Sequence, residues 1–495
     1  MSKKRSHIEY LLIIIIDIVY VLGTILLSGT FYSGYHLADD HAIIRRMYMY
    51  EHNEMSFYQK CISGFPWLGI RFRPLYIFLY RVRIVLFGDN WKLWYLIVAA
   101  EIIAILFLSY CIARMLKCCP VLSFLFSVLI VTGQQSAIWW RLGPQEPMGL
   151  LFLMLCIFSL IRFVACSKKL FLYLALIFSL LSSACKESFV LVLPLIPFLA
   201  VAFDMLLDET RHLSKKMISE MAKKYFVLLI AEGLIFIIEM YVIINKVGIL
   251  SIGYAGIDTQ LGIKEYLDKI VQILKYNMLP YIIVLLILAG EAIVCLRKEK
   301  QSKSMMIHNG FLLGIMVIFI GMQLVLYAKS GMWERYLVPT SAALAFIIVI
   351  IINNVIGESR IMRGAHIGIV MILCIYLYCF KTFPAAVQYA ENGKEIQDLF
   401  QTVMTEVPRD AVIVVSLDDE SNLAVESYLE LKLGYPNVFS LTKEGQIEDK
   451  ASTEMQIDMI DSAARADYIV GNQDDLKEYE LIKEWGFSKL WKKGV

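Results

Sequence analysis

Long apolar runs divide most of this chain into segments of the length that a membrane-crossing helix needs. The first run is LLIIIIDIVYVLGTILLSG at residues 11–29. About 20 apolar residues in a helix cross the roughly 30 Å of hydrocarbon in a bilayer, so the pattern predicts eleven transmembrane helices. The ten later runs lie at 93–113, 120–138, 147–165, 170–184, 188–206, 225–244, 279–296, 309–327, 337–355 and 365–380.

Basic residues between the runs predict how the chain is threaded through the membrane. They fall in alternate loops: Arg114 and Lys117, Arg162 with Lys168 and Lys169, segments 211–224 and 297–303, and Arg360 with Arg363. Short loops rich in Lys and Arg stay in the cytoplasm. The N-terminus is therefore predicted to be cytoplasmic, and the loop 30–92 and the residues after 380 to lie outside. We interpret the first run as an uncleaved anchor, since no persuasive signal-peptide cleavage site follows it.

Composition supports a multi-pass plasma-membrane protein. Hydrophobic residues make up 58% of the chain and charged residues 19%, which is too little polar surface to cover a soluble protein. The formal net charge of +2 lacks the basic excess of nucleic-acid-binding proteins. We therefore expect membrane lipids as neighbours and no nucleic-acid partner. The ten cysteines show neither a disulfide framework nor the spacing of a zinc site.

The first long loop, residues 30–92, is predicted to contain two helices that lie in the membrane interface. Residues 42–62 and 71–88 carry apolar and aromatic side chains at helical spacing. Arg81 and Arg83 of the second segment have the placement of arginines that reach lipid headgroups.

Two adjacent acids, Asp39 and Asp40, begin this loop and are flanked by His36 and His41. Three interpretations stay open. One carboxylate is a general base or acceptor ligand, the pair caps the following helix, or the acids and histidines hold a metal ion.

Basic residues in the outer loops are candidates for binding a phosphate. Arg71 and Arg73 directly precede Pro74, which predicts a helix start whose free N–H groups also attract anions. Lys186 and Glu187 lie in the short segment ACKESF between two predicted spans. They are either a phosphate-binding lysine with its orienting partner or a charged turn.

Residues 381–495 have the composition of a small soluble α/β domain. The pattern predicts strands in 407–419, 437–441 and 467–471, and helices in 421–434, 458–466 and 474–486. Alternation of strands and helices predicts a parallel sheet. No glycine-rich nucleotide loop is present, so we expect an extracytoplasmic accessory domain.

The order of these features resembles the GT-C superfamily of integral-membrane glycosyltransferases. The resemblance rests on an acidic pair after the first span, a first loop with two interfacial helices, about eleven spans, and ERYLVP at residues 334–339 opening a late span. It covers residues 1–380, which form the predicted catalytic module. The similarity is to enzymes that use polyprenyl-phosphate sugars, such as protein O-mannosyltransferases and the aminoarabinose transferases of lipid A.

The resemblance implies roles for particular side chains. It implies that Asp39 or Asp40 acts on the acceptor, with Asp39 in the place of the leading acid. The residues implied to hold the lipid phosphate are Arg71 or Arg73, Lys186 and Arg335. Further acceptor-binding or orienting candidates are Glu146, Glu187, His41 and Tyr336. Arg335 and Tyr336 are alternatively an interfacial anchor.

The expected function is an inverting transfer of a sugar from a polyprenyl-phosphate donor to a glycan, lipid or protein of the cell envelope on the outer face. No cofactor and no metal are expected, although a divalent metal is an alternative. An envelope polysaccharide polymerase or ligase with a pyrophosphate-linked donor is a second candidate function. A lipid-linked-sugar flippase or transporter is a third, and it would use acids within the spans. Those acids are Asp17, Glu101, Glu232, Glu239 and Glu291.

Overall fold

The protein is mostly helical, with a small sheet near its C-terminus. The structure is a computed structural model, and it describes residues 3–37, 39–62, 71–133, 139–207, 215–248, 262–298, 303–328, 334–355, 360–441, 459–460, 466–474 and 476–494. The first nine helices are α1 (Lys3–Leu27), α2 (His41–His52), α3 (Phe57–Ile62), α4 (Pro74–Phe87), α5 (Trp91–Met115), α6 (Pro120–Val131), α7 (Gln145–Cys166), α8 (Lys169–Ser183) and α9 (Glu187–Val190). The next nine are α10 (Ile196–Leu207), α11 (Lys215–Val242), α12 (Ile263–Ile273), α13 (Leu279–Lys298), α14 (Lys303–Tyr327), α15 (Val338–Ile350), α16 (Arg360–Leu377), α17 (Phe383–Glu406) and α18 (Asp419–Ser427).

Several of these helices indicate a membrane-embedded protein. Among the described residues, seven are long and apolar enough to cross a bilayer, and a bent pair formed by α12 and α13 is an eighth candidate. The predicted runs at 120–138, 170–184 and 337–355 are also apolar helices, but shorter ones. The first of them stops at Val131 because the chain turns at Gly133, which has a φ of 106°. Each predicted run therefore contains a helix, residues 134–138 of the run at 120–138 lie outside the described residues, and the number of spans stays a prediction.

The helical part is packed around α15. All thirteen residues of α15 are buried, and it packs against α6 and α14. A helix that is apolar on every side and faces no solvent belongs in the centre of a bundle.

The helix that contains the last predicted span does not end at residue 380. Helix α16 continues through a π-helical turn, Tyr378–Thr382, directly into α17. Pro384, which has no backbone N–H to donate, lies just after this turn, where the helical hydrogen-bond pattern is already altered. The predicted boundary at 380/381 thus falls inside a helical stretch that runs to Glu406.

The C-terminal sheet has six strands: β1 (Ile413–Ser416), β2 (Val438–Leu441), β3 (Met459–Ile460), β4 (Tyr468–Gly471), β5 (Tyr479–Glu484) and β6 (Lys489–Lys493). Their order is β3-β2-β1-β4-β6-β5. Strands β1 to β4 are parallel to one another, as predicted, whereas β6 is antiparallel to β4 and to β5.

Two of the predicted helices in this domain are wrong where the structure describes them. The segment 474–486 forms β5, because Leu481 pairs with Trp491 across a hairpin closed by the bond from Trp485 N–H to the Ser488 carbonyl, 2.8 Å. Strand pairing overrides the helix-favouring Leu, Lys and Glu residues here. Met459–Ile460 form a strand, and residues 461–465 of that predicted helix lie outside the described residues.

The C-terminal unit and the loop that follows α1 share one hydrophobic cluster. Its buried members include Tyr35, Ile43 and Trp94 from the first part of the chain and Phe400 and Tyr428 from the last part. The first predicted loop helix is divided into α2 and α3, and the second is α4; their position in the membrane interface stays a prediction.

We expect Gly143→Ala to lower the stability of the protein more than Gly310→Ala. Gly143 has a φ of 61°, and a Cβ atom there would lie 2.8 Å from Trp94 and 2.9 Å from Tyr80. A left-handed conformation costs other residues about 1–2 kcal/mol, and overpacking adds about 1–3 kcal/mol. Gly310 in α14 has no atom within 4 Å of such a Cβ. Equal unfolding midpoints of the two variants in detergent would contradict the packing of this turn.

Candidate functional site

The two adjacent acids have opposite environments. Asp39 has a φ of 68° and a side chain that is 59% exposed, and its Oδ2 accepts a hydrogen bond of 2.9 Å from Arg141 Nη1. Asp40 is 1% exposed. Its Oδ2 accepts the His36 backbone N–H at 2.9 Å and lies 2.9 Å from His36 Nδ1. Asp39 is therefore the carboxylate that a ligand from solvent can reach.

The capping interpretation of Asp40 is corrected by this geometry. Asp40 occupies the N-cap position of α2, but its side chain makes no capping hydrogen bond. The Asp40 carboxylate instead bonds to His36, four residues earlier. It therefore stabilises the loop before α2 and not the first turn of that helix.

His36 joins this loop to the C-terminal part of the chain. Its Nε2 lies 2.7 Å from the Tyr389 carbonyl oxygen, and its own carbonyl accepts a hydrogen bond from the Tyr428 hydroxyl. Both ring nitrogens of His36 thus have partners.

Arg141 and Tyr389 are site residues that the sequence reasoning missed. Arg141 Nε donates to the Tyr389 hydroxyl at 3.0 Å, and the guanidinium lies 5.5 Å from the centre of the Tyr389 ring. These contacts leave Arg141 Nη1 directed at Asp39. The sequence feature that could have identified Arg141 is its place in WWRLGPQEP, a segment predicted to lie on the outer side.

Lys186 and Glu146 form a buried ion pair next to this loop. Their side chains are 0% and 1% exposed. The Lys186 ammonium lies 4.5 Å from the Tyr336 ring centre and 5.8 Å from that of Tyr327, and the two rings stack at 4.9 Å. Three predicted site residues, Lys186, Glu146 and Tyr336, are therefore in one cluster, although Lys186 is not open to solvent.

Glu187 orients Arg73 rather than its neighbour Lys186. Glu187 Oε2 accepts a hydrogen bond of 3.1 Å from Arg73 Nε, and these side chains are 11% and 10% exposed. The Leu75 N–H also donates to the Ala184 carbonyl at 3.1 Å, which ties the start of α4 to this turn. Adjacent residues at a helix start point in different directions, so Lys186 and Glu187 take different partners.

The contacts of two predicted phosphate ligands, Arg71 and Arg335, are not part of the ion pairs described so far. Arg71 is half-buried in a bend just before α4. Arg335 lies in the short 3-10 turn Glu334–Leu337, and its side chain is outside the described residues.

Tyr76 is the residue around which these charges meet. Its hydroxyl donates to the Gly143 carbonyl at 2.9 Å. Burial raises the pKa of Tyr76, the charges of Asp39 and Glu146 raise that pKa further, and Arg73 and Arg83 oppose them. Asp39, Arg73 and Glu146 are therefore among the charges that act on Tyr76 in the first turn of α4. We name these residues, with Arg141, Lys186 and Glu187, the Tyr76 cluster.

The headgroup interpretation of Arg83 is wrong. Arg83 is 9% exposed and forms an ion pair with Glu101 of α5. Arg81 is likewise buried, at 3% exposure. Glu101, considered above as an acid within a span, is therefore the structural partner of an arginine from α4.

The histidines and acids of this loop do not form a recognisable metal site. Within the described ranges, no three His, Cys, Asp or Glu side chains come together as a group that could hold a metal ion. Burial lowers the pKa of His41, so its ring is neutral at neutral pH.

Comparison of the chain with protein-family models and with curated proteins finds no match.

We expect removal of one member of the Glu146–Lys186 pair to destabilise the protein strongly. An uncompensated buried charge costs about 3–5 kcal/mol, whereas replacing both charges with apolar groups is often tolerated. The unfolding midpoints of Glu146→Leu and Lys186→Met in detergent should therefore both fall, and that of the double variant should recover much of the loss.

Asp89→Asn is the control for the loss of a charge. Asp89 Oδ2 lies 3.0 Å from Lys432 Nζ and its side chain is 57% exposed, and exposed pairs contribute at most about 1 kcal/mol. A double variant that is no more stable than the two single variants would contradict the pairing.

Proposed function

We propose that this protein is an integral-membrane glycosyltransferase of the GT-C type. It transfers a sugar from undecaprenyl phosphate, or a related polyprenyl phosphate, to a glycan, lipid or protein of the bacterial cell envelope on the outer face. The observation that carries the proposal is an exposed carboxylate, Asp39, held by Arg141 beside cationic side chains at the end of the first apolar helix. The same proposal places the N-terminus in the cytoplasm and the C-terminal domain outside.

The proposed reaction needs a base for the acceptor hydroxyl and positive charge for the departing phosphate. Asp39 accepts the hydroxyl proton as the acceptor oxygen attacks the anomeric carbon. The bond from the anomeric carbon to the phosphate oxygen breaks on the opposite side, so the configuration inverts and the polyprenyl phosphate leaves with its negative charge.

Arg141 and the α4 arginines divide two tasks in this mechanism. Arg141 fixes the direction of the Asp39 carboxylate, because its own position is set by Tyr389. The proposed phosphate ligands are Arg71, which is half-buried in the bend before α4, and Arg73, which Glu187 holds in place. Lys186 contributes to the phosphate through its field rather than by contact, because it is fully buried against Glu146.

A lipid-linked-sugar flippase is the second candidate function, and two buried acids favour it. Glu232 and Glu239 of α11 are 0% and 5% exposed. They accept hydrogen bonds from Ser179 and Ser183 of α8 at 2.7 and 2.9 Å. Ionisable side chains at such depth are typical of transport paths. A flippase would move the donor without releasing polyprenyl phosphate, and its transport would fail in Glu232→Gln.

Asp39→Asn is expected to abolish turnover, while Asp40→Asn is expected to retain measurable transfer. Loss of a general base costs on the order of a hundredfold or more in rate, whereas Asp40 serves the fold through His36. The measurement is release of undecaprenyl phosphate from a panel of undecaprenyl-phosphate hexoses and pentoses, supplied to membranes that contain equal amounts of each variant.

Asp89→Asn is the matched control for Asp39→Asn, because it also removes an exposed aspartate that is ion-paired with a basic residue. It should leave the rate near that of the natural chain. A near-normal rate for Asp39→Asn would show that this residue is not the base. Near-normal rates for all three variants would remove the main support for an enzyme.

Transfer is expected to persist in EDTA. In the proposed reaction, cationic side chains stabilise a monophosphate leaving group, and no metal ion is needed. The measurement is the same release assay with and without chelator, followed by addition of Mg²⁺ or Mn²⁺. Complete loss that either metal restores would instead support an envelope polymerase or ligase with a pyrophosphate-linked donor.

A further inference from the structure

A polar cavity lies at the opposite end of the helical bundle from the Tyr76 cluster. Helix α5 connects the two ends: Tyr95, near its start, shares a hydrogen bond of 3.2 Å with Ser33 of the first loop. Arg114, near its end, bonds to Glu9 of α1 at 2.7 Å. A helix of 25 residues is roughly 37 Å long, so the two ends are far apart. In the part of the chain that the structure describes, none of the residues that line the cavity belongs to the Tyr76 cluster.

The cavity has both polar and apolar lining residues, and its volume is about 350 Å³. Apolar side chains such as Met205, Leu207 and Ile350 line one part of it. The polar lining consists of Lys117, His308, Asn309, Asn353, Asn354 and Arg363. None of the described residues that line the cavity is acidic, so its fixed charge is positive.

A chain of side-chain amides forms part of the polar lining. Asn353 Nδ2 donates to Asn354 Oδ1 at 2.8 Å, and Asn354 Nδ2 donates to Asn309 Oδ1 at 3.0 Å. Asn309 belongs to α14 and is 3% exposed. The two other asparagines lie in the π-helical turn Ile351–Val355 that follows α15. The amides are thus held in fixed orientations by two elements of the bundle.

Arg363 supplies a positive charge to the lining of the cavity. Its Nη2 contacts the Asn353 carbonyl at 3.5 Å, and its Nε is buried without a hydrogen-bond partner. Arg363 forms no ion pair with a carboxylate of the described residues. A buried donor without an acceptor is costly, which indicates that an anionic ligand contributes the acceptor.

We propose that this cavity binds a phosphate group, carried either by an anionic lipid of the adjacent leaflet or by a soluble phosphate compound. The guanidinium of Arg363 matches the geometry of two phosphate oxygens, and Lys117 adds a second charge at the exposed edge. A volume of about 350 Å³ lies at the small end of ligand pockets, which suits a phosphate with a small polar group. The apolar part of the lining suits the start of an acyl chain.

The experiment measures the unfolding midpoint of the full-length purified chain in a non-ionic detergent. Three additions are compared: dioleoyl phosphatidylglycerol, dioleoylglycerol, which has the same acyl chains and no phosphate, and inorganic phosphate. A ligand that binds only the folded protein raises the midpoint. We expect phosphatidylglycerol or inorganic phosphate to raise it and dioleoylglycerol to have no effect.

Three variants that each remove one positive charge test whether the rise in the unfolding midpoint comes from binding in this cavity. Arg363→Gln and Lys117→Gln each remove a positive charge from the cavity, and Lys117 is exposed, so its replacement leaves folding intact. Lys168→Gln removes an exposed charge at the same end of the bundle, outside the cavity. The first two should bind about tenfold more weakly, as expected for loss of a charged hydrogen bond, and Lys168→Gln should respond like the natural chain.

The two sources of the phosphate give different outcomes, and both support the proposal. A response to phosphatidylglycerol alone assigns the ligand to a lipid, and a response to inorganic phosphate as well assigns it to a soluble compound. The proposal is wrong if neither compound raises the midpoint, if dioleoylglycerol acts as strongly as phosphatidylglycerol, or if all three variants respond like the natural chain.

Discussion

A charge that is withdrawn from water must be neutralised where it lies, and the arrangement of α4 depends on this requirement. Helix α4 brings arginines into the body of the protein, where an unpaired charge would cost several kcal/mol. Glu187 meets Arg73 at the start of the helix, and Glu101 of α5 meets Arg83 about three turns later. Each pair fixes α4 against a different neighbour. The position of Tyr76, and with it the candidate site, follows from these two pairings.

The same requirement explains what the sequence could and could not predict about the site. Residue type and loop position were enough to select Asp39, Arg73, Lys186 and Glu146 as candidates. They could not reveal the partners, because Arg73 finds Glu187 more than a hundred residues away and Lys186 passes over its neighbour to reach Glu146. Pairing across the chain is a property of the packed helices and leaves no local signal.

The fold was predictable where one local pattern decides the structure. Uninterrupted apolar runs gave the helices, and β1, β2 and β4 had the apolar pattern of buried strands. Prediction failed for β5, where the residues favour a helix but a hairpin with β6 is formed. It also could not show that Asp39 is exposed and Asp40 buried, because this contrast depends on a left-handed residue and on His36. The two residue types Asp-Asp do not predict the positive φ of Asp39 or the hydrogen bond that Asp40 accepts from His36.

The helical stretch formed by α16, its π-helical turn and α17 has a mechanical consequence. Arg363 lies near one end of this stretch, and Tyr389, which holds both Arg141 and His36, lies 26 residues further on. At 1.5 Å per residue the two are roughly 39 Å apart along the axis. If this stretch tilted as one body about its Arg363 end, Tyr389 would be displaced, because it lies far from that end. The two ends of the bundle are therefore geometrically linked through a single piece of secondary structure.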